Sequence, residues 1–169
     1  LPIEELNLAG CSIQNLSFTH SMPLTKLDIS DTNLLDLRPL SEKPLEQLFL
    51  QNSKVENLSP LADCPLQELN LNKTVISDLA PLRGSPLRAL ELRKTEVNDL
   101  GPLMDSPLEN LILPGSPISS IAPLTYCPLK NLNLIGIDLD DLSPLKEMQL
   151  TSLSISCLLY TSDAADEED

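Results

Sequence analysis

Aromatic side chains are almost missing from this chain: 2% of 169 residues, with no tryptophan. The flat platforms on which single-stranded nucleic acids, sugars and heterocycles stack are therefore nearly absent. Basic residues are also scarce, 11 against 25 acidic ones, for a net charge of −14. Affinity for a phosphate backbone comes mainly from Lys and Arg releasing counterions, so no nucleic-acid partner is expected. No apolar run is long enough to span a bilayer, because polar residues interrupt each one within a few positions. The N-terminus, LPIEEL, has neither the basic nor the apolar region of a signal peptide, nor an initiator Met. A chain that begins in mid-repeat is expected to be a fragment of a longer protein, which leaves localisation open.

Catalytic groups are equally sparse. His20 is the single histidine; it lies in the irregular segment SFTHSM, where a surface or end-capping role is expected and no Ser–His–Asp set can be built around it. We expect no catalytic residue, no cofactor, no metal and no enzymatic activity. Four cysteines are present, but Cys64 and Cys127 hold the same repeat position three rungs apart, about 14 Å at ~4.8 Å per rung. A disulfide needs Cα atoms within about 7 Å. Cys11 and Cys157 are farther apart still, so all four read as isolated, buried or semi-buried thiols.

What the chain does have is a repeat. Pro-Leu pairs begin at Pro2, Pro23, Pro44, Pro65, Pro86, Pro107 and Pro128, with Gln149 continuing the series, at a spacing of 21 without insertion or deletion. A fixed period of this size signals a solenoid. The consensus P-L-x-x-L-x-L-x-x-T-x-[VIL]-x-[DN]-L-x-P-L-x-x-x assigns a structural job to most positions. Paired leucines such as Leu69 and Leu71, separated by one polar residue, have the period of a strand with one buried face. Strands entered in the same direction stack as a parallel sheet, about eight rungs and roughly 35–40 Å long.

The return segment, as in DLSPLKEMQ, predicts about one turn of helix or 3-10 helix. Ser59 or Ser143 is placed to cap it, and Pro60 or Pro144 sits in its first turn. Another proline five residues later stops it; 13 of the 15 prolines fall in these two columns. The Thr/Ser column (Cys11, Thr32, Ser53, Thr74, Thr95, Ser116, with Ile137 an exception) is expected to bond the backbone of adjacent rungs inside the turn. The Asp/Asn column (Asn15, Asp36, Asn57, Asp78, Asp99, Asp141) is expected to cap the convex turn; the residues between offer no calcium loop. One repeat buries too few aliphatics to offset the ordering of 21 residues, so only stacked neighbours fold. Neither end shows a polar cap, which predicts aggregation-prone sheet edges in the isolated chain and a monomer if flanking caps are present.

The pattern L-x-x-L-x-L-x-x-[N/T/C]-x-L resembles the leucine-rich repeat family over residues 1–156. Its short period and DLSPL return segment look like the bacterial internalin-like class. The resemblance implies a mainly β member of the α/β solenoids: a right-handed curved rack with a parallel concave sheet, short turns or 3-10 helices on the convex side, and a protein or peptide ligand. The Asp-Leu-x-Pro-Leu version is also similar to arrays appended to bacterial Ser/Thr protein kinases of the Planctomycetes and Verrucomicrobia kind. Either parent would place the array in the cytoplasm or on a bacterial cell surface. Residues 157–169, CLLYTSDAADEED, break the repeat and resemble translated sequencing-adapter sequence; a disordered acidic tail is the alternative. They hold five acids and no base, so −9 of the −14 belongs to the repeats.

Frame positions stay constant while the side chains flanking the paired leucines vary, as a binding scaffold requires. On the expected concave face the candidate ligand-binding residues are Gln47, Phe49, Asn70, Asn72, Glu91, Arg93, Ile112, Pro114, Asn133 and Ile135. Phe49 and the trio Ile112, Pro114 and Ile135 are apolar where water could reach them. Lys73, Arg88, Arg93 and Lys94 are expected to gather nearby and to suit a carboxylate-rich partner. We expect a non-catalytic interaction module, with a structural spacer or stalk, or a kinase appendage, as alternatives.

Overall fold

The structure, a computed structural model, describes residues 2–156. Each L-x-L segment forms one short strand: β1 (Glu5–Asn7), β2 (Lys26–Asp28), β3 (Gln47–Phe49), β4 (Glu68–Asn70), β5 (Ala89–Glu91), β6 (Asn110–Ile112), β7 (Asn131–Leu134) and β8 (Ser152–Ile155). They join in chain order into one parallel eight-stranded sheet. Every pairing sets a residue against the one 21 positions later, so Leu27, Leu48, Leu69, Leu90, Leu111 and Leu132 lie in one row. A slip of one residue would turn that whole row to solvent, which pins the register.

In the repeat that starts at Pro65, Leu66, Leu69, Leu71, Ile76, Leu79 and Leu82 are all buried, and the equivalent side chains of successive rungs merge into a single apolar core. The ends differ. Ile3, Leu6, Leu8 and Ile13 are only partly buried on the first rung, and Leu142 on the seventh and Leu153 on the eighth are exposed. No polar cap covers either end among the described residues, in line with the repeat's apolar frame.

Seven 3-10 helices of three or four residues, from Ser17–Thr19 to Ser143–Lys146, line the opposite side. Six hold a proline in the first turn. The Asp/Asn column caps them, as expected of it, and the serines two positions later do not. Asn15, Asp36, Asn57, Asp78, Asp99 and Asp141 each accept, through Oδ1, the N–H of the residue two positions on, at 2.7–3.1 Å. Ser59 and Ser143 are the first residues of their helices, so their own N–H groups need the acceptor, which must sit before them. In the sixth repeat Ser120 Oγ does the same for Ala122 at 3.3 Å.

The hydroxyl column is structural, though it bonds chiefly within its own rung. Thr32, Thr74 and Thr95 donate to the carbonyls of Ile29, Leu71 and Leu92 at 2.7–2.9 Å, because the tight turn brings the carbonyl three residues back within reach. Ser116 alone reaches the preceding rung, sharing the Leu92 carbonyl with Thr95. Cys64 and Cys127 are buried and free, whereas Cys11 is free and exposed on the outermost rung, where only one neighbouring rung covers it. Burial pushes the Cys64 thiol up, which keeps it protonated and inert. Cys157 and the tail lie outside the described residues.

Two features escaped the repeat consensus. Lys43 is only 7% exposed, and its Nζ donates to the carbonyls of Thr19, His20 and Met22 at 2.9, 3.2 and 3.0 Å. It ties the end of the first 3-10 helix to the second rung's return segment, in a column where Cys64 and Cys127 donate one weak thiol bond each, to Leu40 and Leu103 at 3.4 Å. The second feature is the turn that ends each strand. Gly10, Asp31, Asn52, Lys73, Lys94, Gly115 and Gly136 all have φ between 53° and 77°, within the left-handed region. Gly, Asn and Asp visit that region readily, whereas a longer side chain costs about 1–2 kcal/mol.

Two stability measurements follow from this geometry. Leu69→Ala on a central rung should cost about 3 kcal/mol in urea unfolding, and Leu153→Ala on the exposed last rung well under half of that. Lys73→Gly and Lys94→Gly should each raise stability by about 0.5–1 kcal/mol, the strain relieved less the added unfolded-state entropy.

Candidate binding face

Residues flanking the paired leucines face away from the core, as the pleat of a strand requires, and run in columns along the sheet. The second column reads Asn7, Asp28, Phe49, Asn70, Glu91, Ile112, Asn133, each opposite the next in register. Four of these have an internal task. Asn7, Asp28, Asn70 and Asn133 use Oδ1 to accept the N–H two residues on, from Ala9, Ser30, Asn72 and Ile135, at 2.9–3.1 Å. That bond closes the end of the strand in the manner of an Asx turn. Asn70, at 9% exposure, therefore offers a partner little, and Asn133 offers it only its amide nitrogen.

The remaining candidates fall into three groups along the face. At its start, Phe49 is half-buried with Lys26 Nζ 5.8 Å from the ring centroid, within reach of a cation–π attraction. Phe49 borders a concavity of about 510 Å³ whose other walls are Glu5, Leu6, Asn7, Lys26 and Asp28. These four polar neighbours were not singled out from sequence; their position one and two rungs before the only aromatic residue of the face was the available signal.

In the middle the polar side chains lock one another. Gln47 Nε2 donates to Glu68 at 3.0 Å. Glu91 Oε2 accepts from both Asn70 Nδ2 at 3.2 Å and Asn72 Nδ2 at 2.5 Å, while Asn72 Oδ1 accepts the backbone N–H of Arg93 at 2.7 Å. A network satisfied in this way holds its members in place before any partner arrives. At the far end Ile112, Pro114 and Ile135 lie on adjacent rungs, and Ile135 is 46% exposed.

The four basic residues do not form one cluster. Arg88 precedes β5, and its Nη1 pairs with Glu109 at 2.8 Å; Glu109 also accepts Lys130 Nζ. Arg93 and Lys94 follow β5 and Lys73 follows β4, so the three-residue width of the strand separates them from Arg88. Sequence spacing alone brings Arg88 and Arg93 close, but an extended strand carries its two ends apart. Among the described residues, no group of three or more His, Cys, Asp or Glu could hold a metal ion, and no helix is long and apolar enough to cross a membrane. His20 is exposed at the end of the first 3-10 helix.

Lys130, and after it Arg88, hold the Glu109 carboxyl below its usual range. Arg38 does the same for Asp36, and the Ser143 hydroxyl for Asp141. A carboxyl lowered in the fold stabilises it at any pH above the unfolded value, and that contribution vanishes as pH falls through the folded value. Urea midpoints should therefore hold from pH 7 to about 5 and drop below about 4.5. Glu109→Gln should flatten part of that drop, and an unchanged slope would mean that the Arg88–Glu109–Lys130 ladder is spent on solvent.

No family model matches the chain, and no curated protein matches it. Solved structures do. An internalin (inlF) from Listeria monocytogenes superposes with a TM-score of 0.86 at 27% identity, covering 90% of this chain and 47% of that one. Internalin C2 (inlC2) from the same species gives 0.85 at 28% identity, covering 90% and 70%. The APL1 leucine-rich repeat domain gives 0.64 at 20% identity, covering 90% and 49%, a likeness of fold alone. This chain spans about half the length of the inlF structure. Its architecture is that of an internalin-like leucine-rich repeat solenoid.

Proposed function

We propose that the chain is a protein-interaction module without catalytic activity, that its repeats act as one unit over residues 1–156 within a larger bacterial protein, and that it seats a protein or peptide ligand on the sheet face described above, the concave face of the sequence reading. The observation that carries this is the division of labour on that face. The leucine rows are constant from rung to rung and Asx bonds close four of the strands, while Phe49, Glu91, Arg93, Ile112 and Ile135 vary on a rigid grid of about 4.8 Å. Likeness to two internalins supports an interaction role in general.

Apolar side chains left accessible among pre-ordered polar ones are the usual anchors of a protein interface. Phe49 beside its concavity and Ile135 with Pro114 give two such anchors about four rungs apart, roughly 19 Å. That span suits a folded loop or a peptide of six or more extended residues.

The test is selection of a random peptide display library on the full chain, followed by re-binding to variants. Binders should lose about tenfold or more in affinity with Phe49→Ala or Ile135→Ser and keep it with Arg83→Glu or Tyr126→Ser on the opposite side. Recovery of binders that depend only on the opposite side would sink the assignment of this face. Recovery of none would favour a structural spacer.

A further inference from the structure

In the column of left-handed turn residues, five rungs use Gly, Asn or Asp, and two adjacent rungs use Lys73 and Lys94. Lysine gains nothing locally from that conformation, and strain of this kind persists where a side chain is wanted for another purpose. Arg93 stands immediately before Lys94, and all three side chains are exposed. None of the three takes part in an ion pair among the described residues.

Glu91 lies on the same face two residues before Arg93 but makes no ion pair with it; its Oε2 accepts from the amides of Asn70 and Asn72, and Asn72 in turn fixes the Arg93 backbone. Lys94 is directed by its neighbour. A Cβ on Gly115 would come within 3.2 Å of Lys94 Cγ, so the glycine of the next rung leaves the room that the lysine stem occupies. The stem thus lies toward the rung that carries Pro114, whose carbonyl accepts the Lys94 N–H at 2.9 Å. Arg93, Pro114 and Ile135 hold the same place on three consecutive rungs.

We infer that this corner of the face, three exposed cations outside any ion pair among the described residues, beside Pro114 and Ile135, docks an extended segment of a partner protein in which an acidic residue is followed two positions later by an aliphatic one. The inference rests on the proposed binding role of the sheet face and names the chemistry of its partner there. Rungs lie about 4.8 Å apart, so Arg93 is about 7 Å from the midpoint between Pro114 and Ile135. Side chains i and i+2 of an extended peptide are separated by about the same distance. The acid meets Arg93 with Lys73 or Lys94, and the aliphatic side chain covers Pro114 and Ile135. Charge complementarity sets orientation and speeds encounter in an otherwise acidic chain.

The experiment uses the full chain and a fluorescein-labelled Gly-Ser-Asp-Asp-Gly-Leu-Ser-Gly peptide, read by fluorescence anisotropy at 0.05 and 0.5 M salt. Binding should weaken at the higher salt and be lost when both aspartates become lysine or the leucine becomes serine. The double variant Lys73→Gly/Lys94→Gly should bind about tenfold more weakly while its thermal midpoint rises, a combination that a purely structural role cannot produce. Ile135→Ser should also weaken binding, and Arg83→Glu on the opposite side should not. No binding up to about 1 mM peptide, or binding unchanged in the glycine variant, overturns the inference. If library-selected binders still depend on Phe49 in that case, the interaction role stands and only the basic corner falls.

Discussion

Between every pair of rungs the same backbone carbonyl accepts two N–H groups from the rung above. Thr25 takes those of Glu46 and Gln47, Gln67 takes those of Arg88 and Ala89, and Glu109 takes those of Lys130 and Asn131, at 2.8–3.0 Å. This pairing of residue i with i+21 and i+22 holds only while the period is 21. Each departure would shift a strand against its neighbour and expose its leucines. The exact count of residues in the return segment is therefore a constraint on the whole sheet, and the proline that opens the next repeat, which stops the 3-10 helix, protects it.

Stability in such a chain is local. Each rung touches only its neighbours, so a defect at one position is felt by two interfaces and no more. Buried polar groups are handled by the same rule. The Asx column serves the helix two residues ahead, the threonines serve the carbonyl three residues back, and Lys43, Ser116 and the thiols of Cys64 and Cys127 reach across rungs. Because most of the frame's hydrogen bonds close within a rung and repeat along the chain, with the buried Ser30, Ser53 and Ser85 hydroxyls the exceptions that find no protein partner among the described residues, the outer sheet face is free to differ from rung to rung.

That freedom is partial. Asn70 and Asn133, which look like variable surface residues, close the ends of their strands, and Glu91 is drawn into a network with two amides. What remains accessible is concentrated at two places: around Phe49 with Glu5, Lys26 and Asp28, and around Arg93, Lys94, Pro114 and Ile135. The two differ in chemistry, the first with two carboxylates and a lysine around an aromatic ring and the second with cations beside aliphatics. A partner engaging both would be read for polarity as well as shape.

The sequence by itself determined the number of rungs, the strand positions, the parallel sheet, the short 3-10 helices and the aliphatic core, because a strict 21-residue period leaves one register in which the paired leucines of the inner rungs are all buried. It also marked Phe49 and the Ile112, Pro114 and Ile135 group, since apolar residues at polar positions stand out without coordinates. Tertiary structure decided the rest. That Asn57 and not Ser59 caps its helix depends on which oxygen reaches a given N–H. That Arg88 parts from Arg93 depends on the direction of the strand between them. That Lys43 is buried under three carbonyls depends on the turn of the neighbouring rung, and that Lys73 and Lys94 stand in left-handed turns depends on backbone angles that a consensus of side chains does not record. Periodicity reports which face a residue occupies; only the folded chain reports what lies within 3 Å of it.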